Sequence, residues 1–466
     1  MNVALLLEMA ADGFGERVAV GSRADGLSFA AVRDHATGVA ARLGSGERTV
    51  AMLGETSALV PAALFGAAWV GAPYAPLNFR VPPETREALL ARLAPVVEVD
   101  DAWLDLAPDP GRAPLDSPDA PAVLLFTSGT TAEPKAAALS HDQLTAYIFN
   151  TVEFGAADER EAVLVAVPPF HVAGVAAVLS STYAGRRIVP LPRFSPEAWL
   201  DLARREEITH AFVVPTMLAR IVTAMEADPA ARVPTLRHLA YGGSRMPTPI
   251  LERALALFPD TGFVNAYGLT ETSSTVCVLG PDDHRVAHAS TDAAIRARLG
   301  SVGRPVPGVE LRVAEGEIQV RGDQVSGEYL GRDSQRDEAG WLHTGDRGSI
   351  DAEGYVFVEG RGDDTIIRGG ENLAPAEIED TLLRHPAVAG AAVVGVPDEE
   401  WGEQVGAMIV GRPGVTVDVD AVRAFVRSHL GSMKTPEIVV VADELPHTAT
   451  GKILRRAVRA DLTPPT

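Results

Sequence analysis

Short apolar runs alternate with amphipathic segments through the first 300 residues of the chain. Apolar runs bounded by turn residues are typical of buried strands, whereas apolar residues spaced three or four apart after a Ser or Thr cap are typical of helices. This alternation indicates an α/β fold in which helices pack on layered sheets. The predicted strands are 121–126, 162–167, 187–191 and 210–215, and the predicted helices are 195–206 and 248–258.

The pattern changes after residue 300, where shorter strands alternate with glycine turns. The stretch Gly-Arg-Gly-Asp-Asp at 360–364 separates this region from a compact C-terminal unit and is the natural position for a hinge. We therefore predict a large N-terminal domain, 1–361, of several β-sheets packed by helices, and a small α+β domain, 362–466. The elements predicted in the small domain are helix 374–385, strands 388–396 and 404–411, helix 418–430 and strand 436–445.

Length and charge limit the class of protein. A chain of 466 residues is too long for one hydrophobic core, so two or three domains are expected. The net charge of −21 argues against broad binding to nucleic acid or to an anionic membrane, because both need a positive surface. The N-terminal segment lacks the basic region of a signal peptide, and no stretch approaches about 18 uninterrupted apolar residues. We expect a soluble cytoplasmic protein, monomeric or homodimeric, with no membrane insertion.

Two residue types are scarce. The single cysteine, Cys277, excludes an intramolecular disulfide and a cysteine-rich zinc site, and a small buried apolar role is favoured for it. Of 41 basic residues only Lys135, Lys434 and Lys452 are lysines, each in a Gly-, Pro- or Thr-rich context. Lysine carries a compact ammonium group, whereas arginine carries a larger planar guanidinium group. We therefore interpret the three lysines as sites where arginine cannot replace lysine.

The segment from 124 to 141 begins as an apolar strand and continues into a loop of small hydroxylated residues. Such a loop presents backbone N–H groups and hydroxyls to an anion, and phosphate is the usual occupant. Pro134 precedes Lys135, so this is not the Gly-Lys-Ser/Thr pattern of a P-loop, and a surface turn is the alternative. The candidate phosphate-binding residues are Thr127, Ser128, Gly129, Thr130, Thr131 and Lys135.

Later motifs supply the other groups that a nucleotide site needs. Residues 265–272 end a strand with an aromatic ring, a hydroxyl and a carboxylate, which suit a base, a phosphate and Mg²⁺. The segment 341–346 ends in a carboxylate suited to the paired hydroxyls of a ribose, and two cations follow it in the hinge region and in a C-terminal loop. The candidates are Tyr267, Thr270, Glu271, Asp346, Arg361 and Lys452.

In order and spacing, these five motifs resemble those of the adenylate-forming enzymes, the superfamily of acyl-CoA synthetases, peptide-synthetase adenylation domains and luciferases. The resemblance covers nearly the whole chain. It implies that the small domain is a mobile lid that rotates about Asp363. It also implies two half-reactions: a carboxylate and ATP give an acyl-adenylate and pyrophosphate, and a thiol then takes the acyl group and releases AMP.

The resemblance further implies that the motifs surround one ATP molecule and its magnesium ion. Loop 127–135 would contact the β- and γ-phosphates, Thr270 the α-phosphate and Glu271 the Mg²⁺. Gly242 and Gly243 would line the adenine pocket, Tyr267 would face the adenine, and Asp346 and Arg361 would bind the ribose. Lys452 would contact both the α-phosphate and the attacking carboxylate.

The acyl and thiol sites are also implied by the resemblance. His171, in the segment 168–174, would gate the route between acyl pocket and thiol tunnel as in acyl- and aryl-CoA synthetases; a satisfied core histidine is the alternative. Gly369 and Gly370 resemble the glycine wall along which the pantetheine arm of CoA threads. Small and apolar pocket positions favour a hydrophobic carboxylic acid, and for Arg245 a solvent-facing side chain is favoured over a second carboxylate site. The acyl-pocket candidates are His171, Ala173, Gly174, Gly243, Ser244 and Ala266.

Two positions depart from the family pattern. Ala132 and Ala136 stand where the family loop usually carries glycine, and alanine disfavours a positive φ by about 1 kcal/mol or more. The favoured interpretation is that neighbouring residues accommodate alanine, the smallest replacement. In the alternative, binding of the β- and γ-phosphates is weakened, which would impair adenylation but not thioester formation. Three functions stay open: an acyl-CoA synthetase, a relative that mainly uses an acyl-adenylate supplied by a partner enzyme, and a non-catalytic nucleotide or acyl-adenylate binder. Lys452 and Glu271 argue against the binder, which needs no catalytic lysine.

Overall fold

The structure of the chain is a computed structural model. In its described residues, four β-sheets are surrounded by α-helices, which confirms the predicted α/β class with a large N-terminal part and a smaller C-terminal part. The described residues are 1–116, 118–127, 134–228, 230–398, 400–448 and 451–463.

Most helices in the described part of the chain begin at a side-chain cap or at a proline in the first turn. At the start of the helix His141–Thr151, for example, Ser140 Oγ accepts from the Gln143 N–H at 3.2 Å, while the Gln143 side chain accepts from the Ser140 N–H at 2.8 Å. No helix in this part of the chain is long and apolar enough to cross a membrane. The α-helices are α1 (Ala4–Phe14), α2 (Phe29–Leu43), α3 (Leu59–Trp69), α4 (Pro83–Arg92), α5 (His141–Thr151), α6 (Val172–Ala184), α7 (Pro196–Arg205), α8 (Pro215–Ala227), α9 (Thr248–Leu257), α10 (Pro281–Ala289), α11 (Ala293–Ala297), α12 (Pro375–Arg384), α13 (Val419–Leu430) and α14 (Arg455–Leu462).

The strands are short in the N-terminal part and longest in the C-terminal unit. They are β1 (Val18–Val20), β2 (Leu27–Ser28), β3 (Thr49–Met52), β4 (Tyr74–Pro76), β5 (Val96–Val99), β6 (Val123–Thr127), β7 (Lys135–Leu139), β8 (Ala162–Val165), β9 (Arg187–Pro190), β10 (His210–Val213), β11 (His238–Gly242), β12 (Gly262–Leu269), β13 (Ser274–Leu279), β14 (Arg304–Pro305), β15 (Val309–Ala314), β16 (Glu317–Gly322), β17 (Leu342–Ile350), β18 (Val356–Arg361), β19 (Ile366–Arg368), β20 (Glu371–Leu373), β21 (Val388–Asp398), β22 (Gly402–Gly411) and β23 (Ile438–Ala442).

A nine-stranded sheet with the order β14-β13-β12-β11-β10-β8-β9-β1-β2 forms the centre of the N-terminal part. Its strands β8 to β12 are parallel to one another. Parallel strands end at one edge of a sheet, and that edge is where ligands bind in open α/β sheets. The segments that leave this edge are 166–171 after β8, 243–247 after β11 and the 3-10 turn Thr270–Thr272 after β12.

A second, five-stranded sheet has the order β5-β3-β4-β6-β7. Its first four strands are parallel, and β7 is antiparallel to β6, so that Thr127 pairs with Lys135 at the open end of the hairpin. The predicted phosphate loop is the connection at this end. Of its residues, Ser128, Gly129, Thr130, Thr131 and Ala132 lie outside the described residues.

Two antiparallel-rich sheets complete the chain. The first has the order β15-β16-β17-β18, and it places Asp346 directly opposite Arg361 in the pairing of β17 with β18. The 3-10 turn Gly362–Asp364 then leads into the last sheet, in which β19 to β22 are antiparallel, β23 pairs with β22, and α12 packs against β21. The predicted hinge residue, Asp363, is therefore in a short turn between two sheets.

The predicted elements in both parts are confirmed as strands and helices, with two corrections. Thr248 was expected to cap α9, but it is the first residue of the helix and its side chain bonds no backbone N–H there; Thr248 Oγ1 instead lies 3.4 Å from Asp380 Oδ2. The basic C-terminal tail, for which no helix was predicted, forms α14 because Val458 and Leu462 pack into the C-terminal core. Cys277 is buried, as expected of a small apolar residue.

Buried neutral histidines make stability depend on pH. Burial lowers the pKa of His141 and His284 to about 4 and that of His210 to about 3. An unfolded chain protonates histidine near pH 6.5, so between that pH and about 4 the unfolded state binds more protons than the folded state. Stability contributed by these groups is therefore complete above pH 6.5 and is lost as the pH falls towards 4.

We expect acidification from pH 7.5 to pH 5 to lower the midpoint of thermal unfolding. Below pH 6.5 the free energy of unfolding should fall by roughly 1 kcal/mol per buried histidine per pH unit. Calorimetry of the wild type, His284→Gln and His429→Gln checks this. His284 is buried and bonded to Tyr241, so its variant should show a smaller acid effect, whereas the exposed His429 serves as the control. Equal unfolding midpoints at the two pH values would contradict the expectation.

Candidate active site

The carboxylate of Asp346 is the centre of the candidate site. Tyr267 donates its hydroxyl to Asp346 Oδ2 at 2.7 Å, and Arg361 Nε lies 2.8 Å from Asp346 Oδ1. Burial raises the pKa of Asp346, while the Arg361 guanidinium and the Tyr267 hydrogen bond oppose that rise. Burial and the neighbouring carboxylate hold the pKa of Tyr267 well above its ordinary value, so it remains a donor. Three residues predicted for the nucleotide site are thus in contact.

Glu271 lies in the 3-10 turn that begins at Thr270, directly after β12. Its Oε1 atom accepts a hydrogen bond from the Tyr329 hydroxyl, and its backbone oxygen accepts from the Ser326 N–H at 2.8 Å. Tyr329 was missed by the sequence analysis. The segment around Tyr329 resembles an ordinary turn in sequence. The contact with Glu271 could not be found from local pattern, because the two residues are 58 positions apart along the chain.

Lys452 comes to this cluster from the C-terminal unit. The preceding residue anchors its loop, since Thr216 at the start of α8 donates to the Gly451 carbonyl at 3.1 Å. Lys452 is exposed, yet the protein atoms that crowd its ammonium lower its pKa, and Arg361 adds to that effect. Asp346 and Glu271 act in the opposite direction and favour the charged lysine. The predicted catalytic lysine therefore lies within electrostatic range of the predicted nucleotide residues.

His171 caps α6, because its Nδ1 accepts from the Ala173 N–H at 3.2 Å. Burial, together with the positive charge of Lys452, lowers the pKa of His171 to about 4. The ring is therefore neutral near pH 7, and its Nδ1 is occupied by the cap. This agrees with a satisfied structural histidine, while the electrostatic influence of Lys452 shows that the predicted catalytic lysine is nearby. The gating role stays a prediction.

Several glycines predicted to line pockets have packing roles. A Cβ on Gly174 would lie 2.7 Å from the Pro168 carbonyl oxygen, and one on Gly242 would lie 2.3 Å from the Ala266 oxygen. Gly243 has a φ of +82° in the turn that leaves β11. These close approaches explain the glycines without any ligand, so their roles in acyl and adenine binding stay predictions.

The turn after β11 also carries Ser244 and Arg245, both exposed. The solvent-facing position favoured for Arg245 is thus present, but the side chain is not alone: Arg245 Nη1 lies 3.0 Å from Asp380 Oδ1 on α12, and Nη2 contacts the other oxygen. An arginine of the N-terminal part therefore pairs with a carboxylate of the C-terminal unit.

Gly369 and Gly370 form the turn of the β19–β20 hairpin, with φ of +57° and +84°. Both are exposed, and a Cβ on Gly369 would lie 2.9 Å from the ring of Trp401. The backbone conformation explains why glycine is needed in this turn. A role of the pair in a CoA tunnel stays a prediction.

A cavity of about 270 Å³ opens where the segment after β8 faces the C-terminal loop. Pro168, Pro169 and Met217 form part of its wall from one side, and His447 and Gly451 from the other. The six predicted acyl-pocket residues do not line it.

No group of three or more His, Cys, Asp or Glu side chains in the described ranges is arranged to hold a metal ion. Magnesium in nucleotide sites usually needs only one or two carboxylates, with substrate phosphates and water as the other ligands. Glu271 fits that pattern, because the Tyr329 hydroxyl donates its hydrogen bond to Oε1 and leaves the Oε2 oxygen available as a metal ligand.

Comparison with known proteins agrees with this arrangement. The family model of the AMP-binding enzyme matches residues 95–332, and that of the AMP-binding enzyme C-terminal domain matches 377–452. Feruloyl-CoA synthase of an Amycolatopsis species is 37% identical over 90% of this chain and 90% of the relative. Fatty acid–[acyl-carrier-protein] ligase ScoC of Streptomyces coeruleorubidus is 35% identical over 90% and 88%, respectively.

A solved structure shares the overall fold. O-succinylbenzoate coenzyme A synthetase of Bacillus subtilis, in complex with ATP and magnesium ion, aligns with a TM-score of 0.81 and 28% identity over 98% of each chain. The chain belongs to the AMP-binding enzymes, the adenylate-forming superfamily. Within that superfamily it is a member of the acyl-CoA ligase branch, an ATP-dependent, AMP-forming ligase. The predicted superfamily and enzyme class are confirmed.

At Ala136 the structure agrees with the alternative in which the chain accommodates alanine, and not with a strained loop. Ala136 lies inside β7, is 1% exposed and pairs with Phe126, while its oxygen accepts from the Leu330 N–H at 2.9 Å. An extended strand residue has no need of glycine's freedom. The expectation for Ala132 stays a prediction outside the described residues.

We expect Ala136→Gly to lower the free energy of unfolding by roughly 0.5–1 kcal/mol, because glycine weakens a strand interior, without raising adenylation. Denaturant titration and pyrophosphate release measure the two effects. Ala138→Gly, in the same strand, is the matched control. Faster pyrophosphate release in Ala136→Gly alone would show that the loop requires backbone freedom at this position.

Proposed function

We propose that the protein activates a hydrophobic carboxylic acid with ATP and Mg²⁺, forms an acyl-adenylate, and transfers the acyl group to coenzyme A. The observation that carries this proposal is the position of Lys452, a cation delivered from the C-terminal unit to the Asp346–Arg361 cluster. A protein that only bound a nucleotide would not need this cation beside the reacting phosphate.

Nucleotide binding uses groups from three of the sheets. Asp346 accepts hydrogen bonds from the ribose hydroxyls, with Arg361 and Tyr267 fixing the orientation of its carboxylate. Lys135 and the loop after β6 bind the terminal phosphates. Glu271 holds Mg²⁺, which when bound offsets negative charge on the phosphates.

In the first half-reaction, a carboxylate oxygen of the acid attacks the α-phosphorus. The bond from that phosphorus to the bridging oxygen breaks, and pyrophosphate leaves with the electron pair. Lys452 lies near both reacting groups and neutralises the charge that gathers on the α-phosphate oxygens, which is the electrostatic route used in phosphoryl chemistry. The Thr216–Gly451 hydrogen bond holds the lysine loop in place for this step.

The second half-reaction requires that Lys452 leave and a thiol enter. We place the domain boundary after Arg361 and the hinge at Asp363, in the turn Gly362–Asp364. Rotation there would carry the Gly369–Gly370 turn towards the cleft, a rigid-body change of the kind that many enzymes use. The thiolate sulfur then attacks the acyl carbon, the acyl–phosphate bond breaks, and AMP leaves.

The acid is proposed to be hydrophobic because the predicted acyl-pocket positions Ala173, Gly174 and Ala266 are small and apolar. The feruloyl-CoA synthase relative supports an aromatic acid, and the carrier-protein ligase relative supports a fatty acid. Pyrophosphate release across a panel of both classes tests the first step. Product formation with CoA, or with a phosphopantetheinyl carrier protein, identifies the acceptor. No release with any acid, together with turnover of a supplied adenylate, would favour the adenylate-using alternative.

Replacing Lys452 separates the half-reactions. We expect Lys452→Ala to lower pyrophosphate release by about 100-fold or more, because preorganised charge stabilisation of this kind is worth that much. Thioester formation from supplied acyl-adenylate should change less than threefold, because the rotated lid has removed the lysine by then. Lys434→Ala, in the same domain but paired with Glu377, is the control. Equal losses in both half-reactions would refute the assigned role.

Fixing the backbone at Asp363 tests the hinge. Proline holds φ near −65°, so Asp363→Pro should impede rotation and slow thioester formation more than adenylation. Single-turnover measurement of each step from its own starting compound separates the two effects. Asp363→Ala, which keeps the backbone free, is the matched variant. An unchanged rate of thioester formation in the proline variant would show that Asp363 is not the hinge residue.

A further inference from the structure

One tyrosine contacts both groups assigned to the triphosphate and its metal. The Tyr329 hydroxyl donates to Glu271 Oε1, and the Lys135 ammonium lies 5.5 Å from the centroid of the same ring. A cation at this distance over an aromatic face is attracted to the ring quadrupole. The ring therefore carries a carboxylate at its hydroxyl and an ammonium over its face.

The backbone around Tyr329 fixes the ring between two sheets. On one side, Ser326 N donates to the Glu271 oxygen at 2.8 Å, next to the central sheet. On the other side, Leu330 N donates to the Ala136 oxygen at 2.9 Å, and Tyr329 forms a bridge with β7 of the second sheet. The segment 326–330 thus joins the strand that carries Lys135 to the turn that carries Glu271.

We propose that Tyr329 is a positioning residue that orients Glu271 towards Mg²⁺ and holds Lys135 apart from that carboxylate, towards the phosphates. The inference rests on the proposed function, which assigns Mg²⁺ to Glu271. Without the ring, a lysine and a glutamate on joined segments attract each other, and an ion pair between them would remove both charges from the ligand. With the ring in place, the hydroxyl engages Oε1 and leaves Oε2 available to the metal.

The donor is permanent over the working pH range. Burial raises the pKa of Tyr329, and the adjacent Glu271 carboxylate raises it further. The phenol therefore stays protonated and can only donate to the carboxylate.

Removal of the hydroxyl alone is the test. In Tyr329→Phe we expect the Mg²⁺ concentration for half-maximal pyrophosphate release to rise about tenfold, as for loss of a hydrogen bond to a charged group. Calorimetric binding of the magnesium complex of α,β-methylene-ATP, which needs no turnover, should weaken by about the same factor. Thioester formation from supplied adenylate should not change, because neither Mg²⁺ nor a triphosphate takes part.

A second variant tests the ring. Tyr329→Leu should also weaken binding of the analogue without Mg²⁺, because Lys135 loses its position over the aromatic face. The matched control is Tyr355→Phe: its hydroxyl donates to Asp283 Oδ1 at 2.6 Å and its ring lies under Arg298 at 4.6 Å, the same pair of interactions away from the site.

The outcomes separate this inference from the function on which it rests. If Glu271→Gln shifts the Mg²⁺ dependence and analogue binding but Tyr329→Phe behaves like Tyr355→Phe, the role of Tyr329 is overturned and the metal assignment stands. If neither Glu271→Gln nor Tyr329→Phe shifts them, both assignments fail. A selective shift in both variants supports the inference.

Discussion

The burial of the Asp346 carboxylate is the constraint on which the site depends. A buried charge is costly unless it is paired and hydrogen-bonded, and at 7% exposure Asp346 meets that condition through Arg361 and Tyr267. Arg361 is the last residue of β18, directly before the turn into the C-terminal unit. The ion pair that stabilises the buried carboxylate therefore lies directly before the proposed domain boundary. The proposed nucleotide site and the proposed junction between the domains consequently share these residues.

Features encoded locally could be predicted from the sequence. The strand pattern at 162–167 and the Ser195 cap of α7 depend on neighbours within a few residues, and both are present in the structure. The convergence of Tyr267, Asp346, Arg361 and Lys452 was inferred from family resemblance, because single motifs do not report distances across the chain. Of the loop between Thr127 and Lys135, only the two ends lie in the described residues, so its assigned role rests on the resemblance alone.

The features that the sequence did not reveal depend on partners far along the chain. Tyr329 meets Glu271, and Arg245 meets Asp380, across 58 and 135 residues, and neither pair has a local pattern. For some glycines the sequence suggested a ligand role where packing is a sufficient reason. Gly174 and Gly242 match pocket positions of the family, yet close backbone packing alone requires glycine at both. A glycine in a motif thus has two sufficient explanations, and only the surrounding atoms distinguish a ligand wall from a packing contact.

The Arg245–Asp380 pair is one of the contacts between the C-terminal unit and the N-terminal part. The two side chains are 32% and 15% exposed, so water and dissolved ions screen their attraction. Such partly exposed pairs typically contribute about 1 kcal/mol or less. Under the proposed lid rotation, a contact of that strength would bias the equilibrium between lid positions only a few-fold. Ionic strength would then shift the balance of the two proposed half-reactions through the population of lid positions and not through the chemistry of either step.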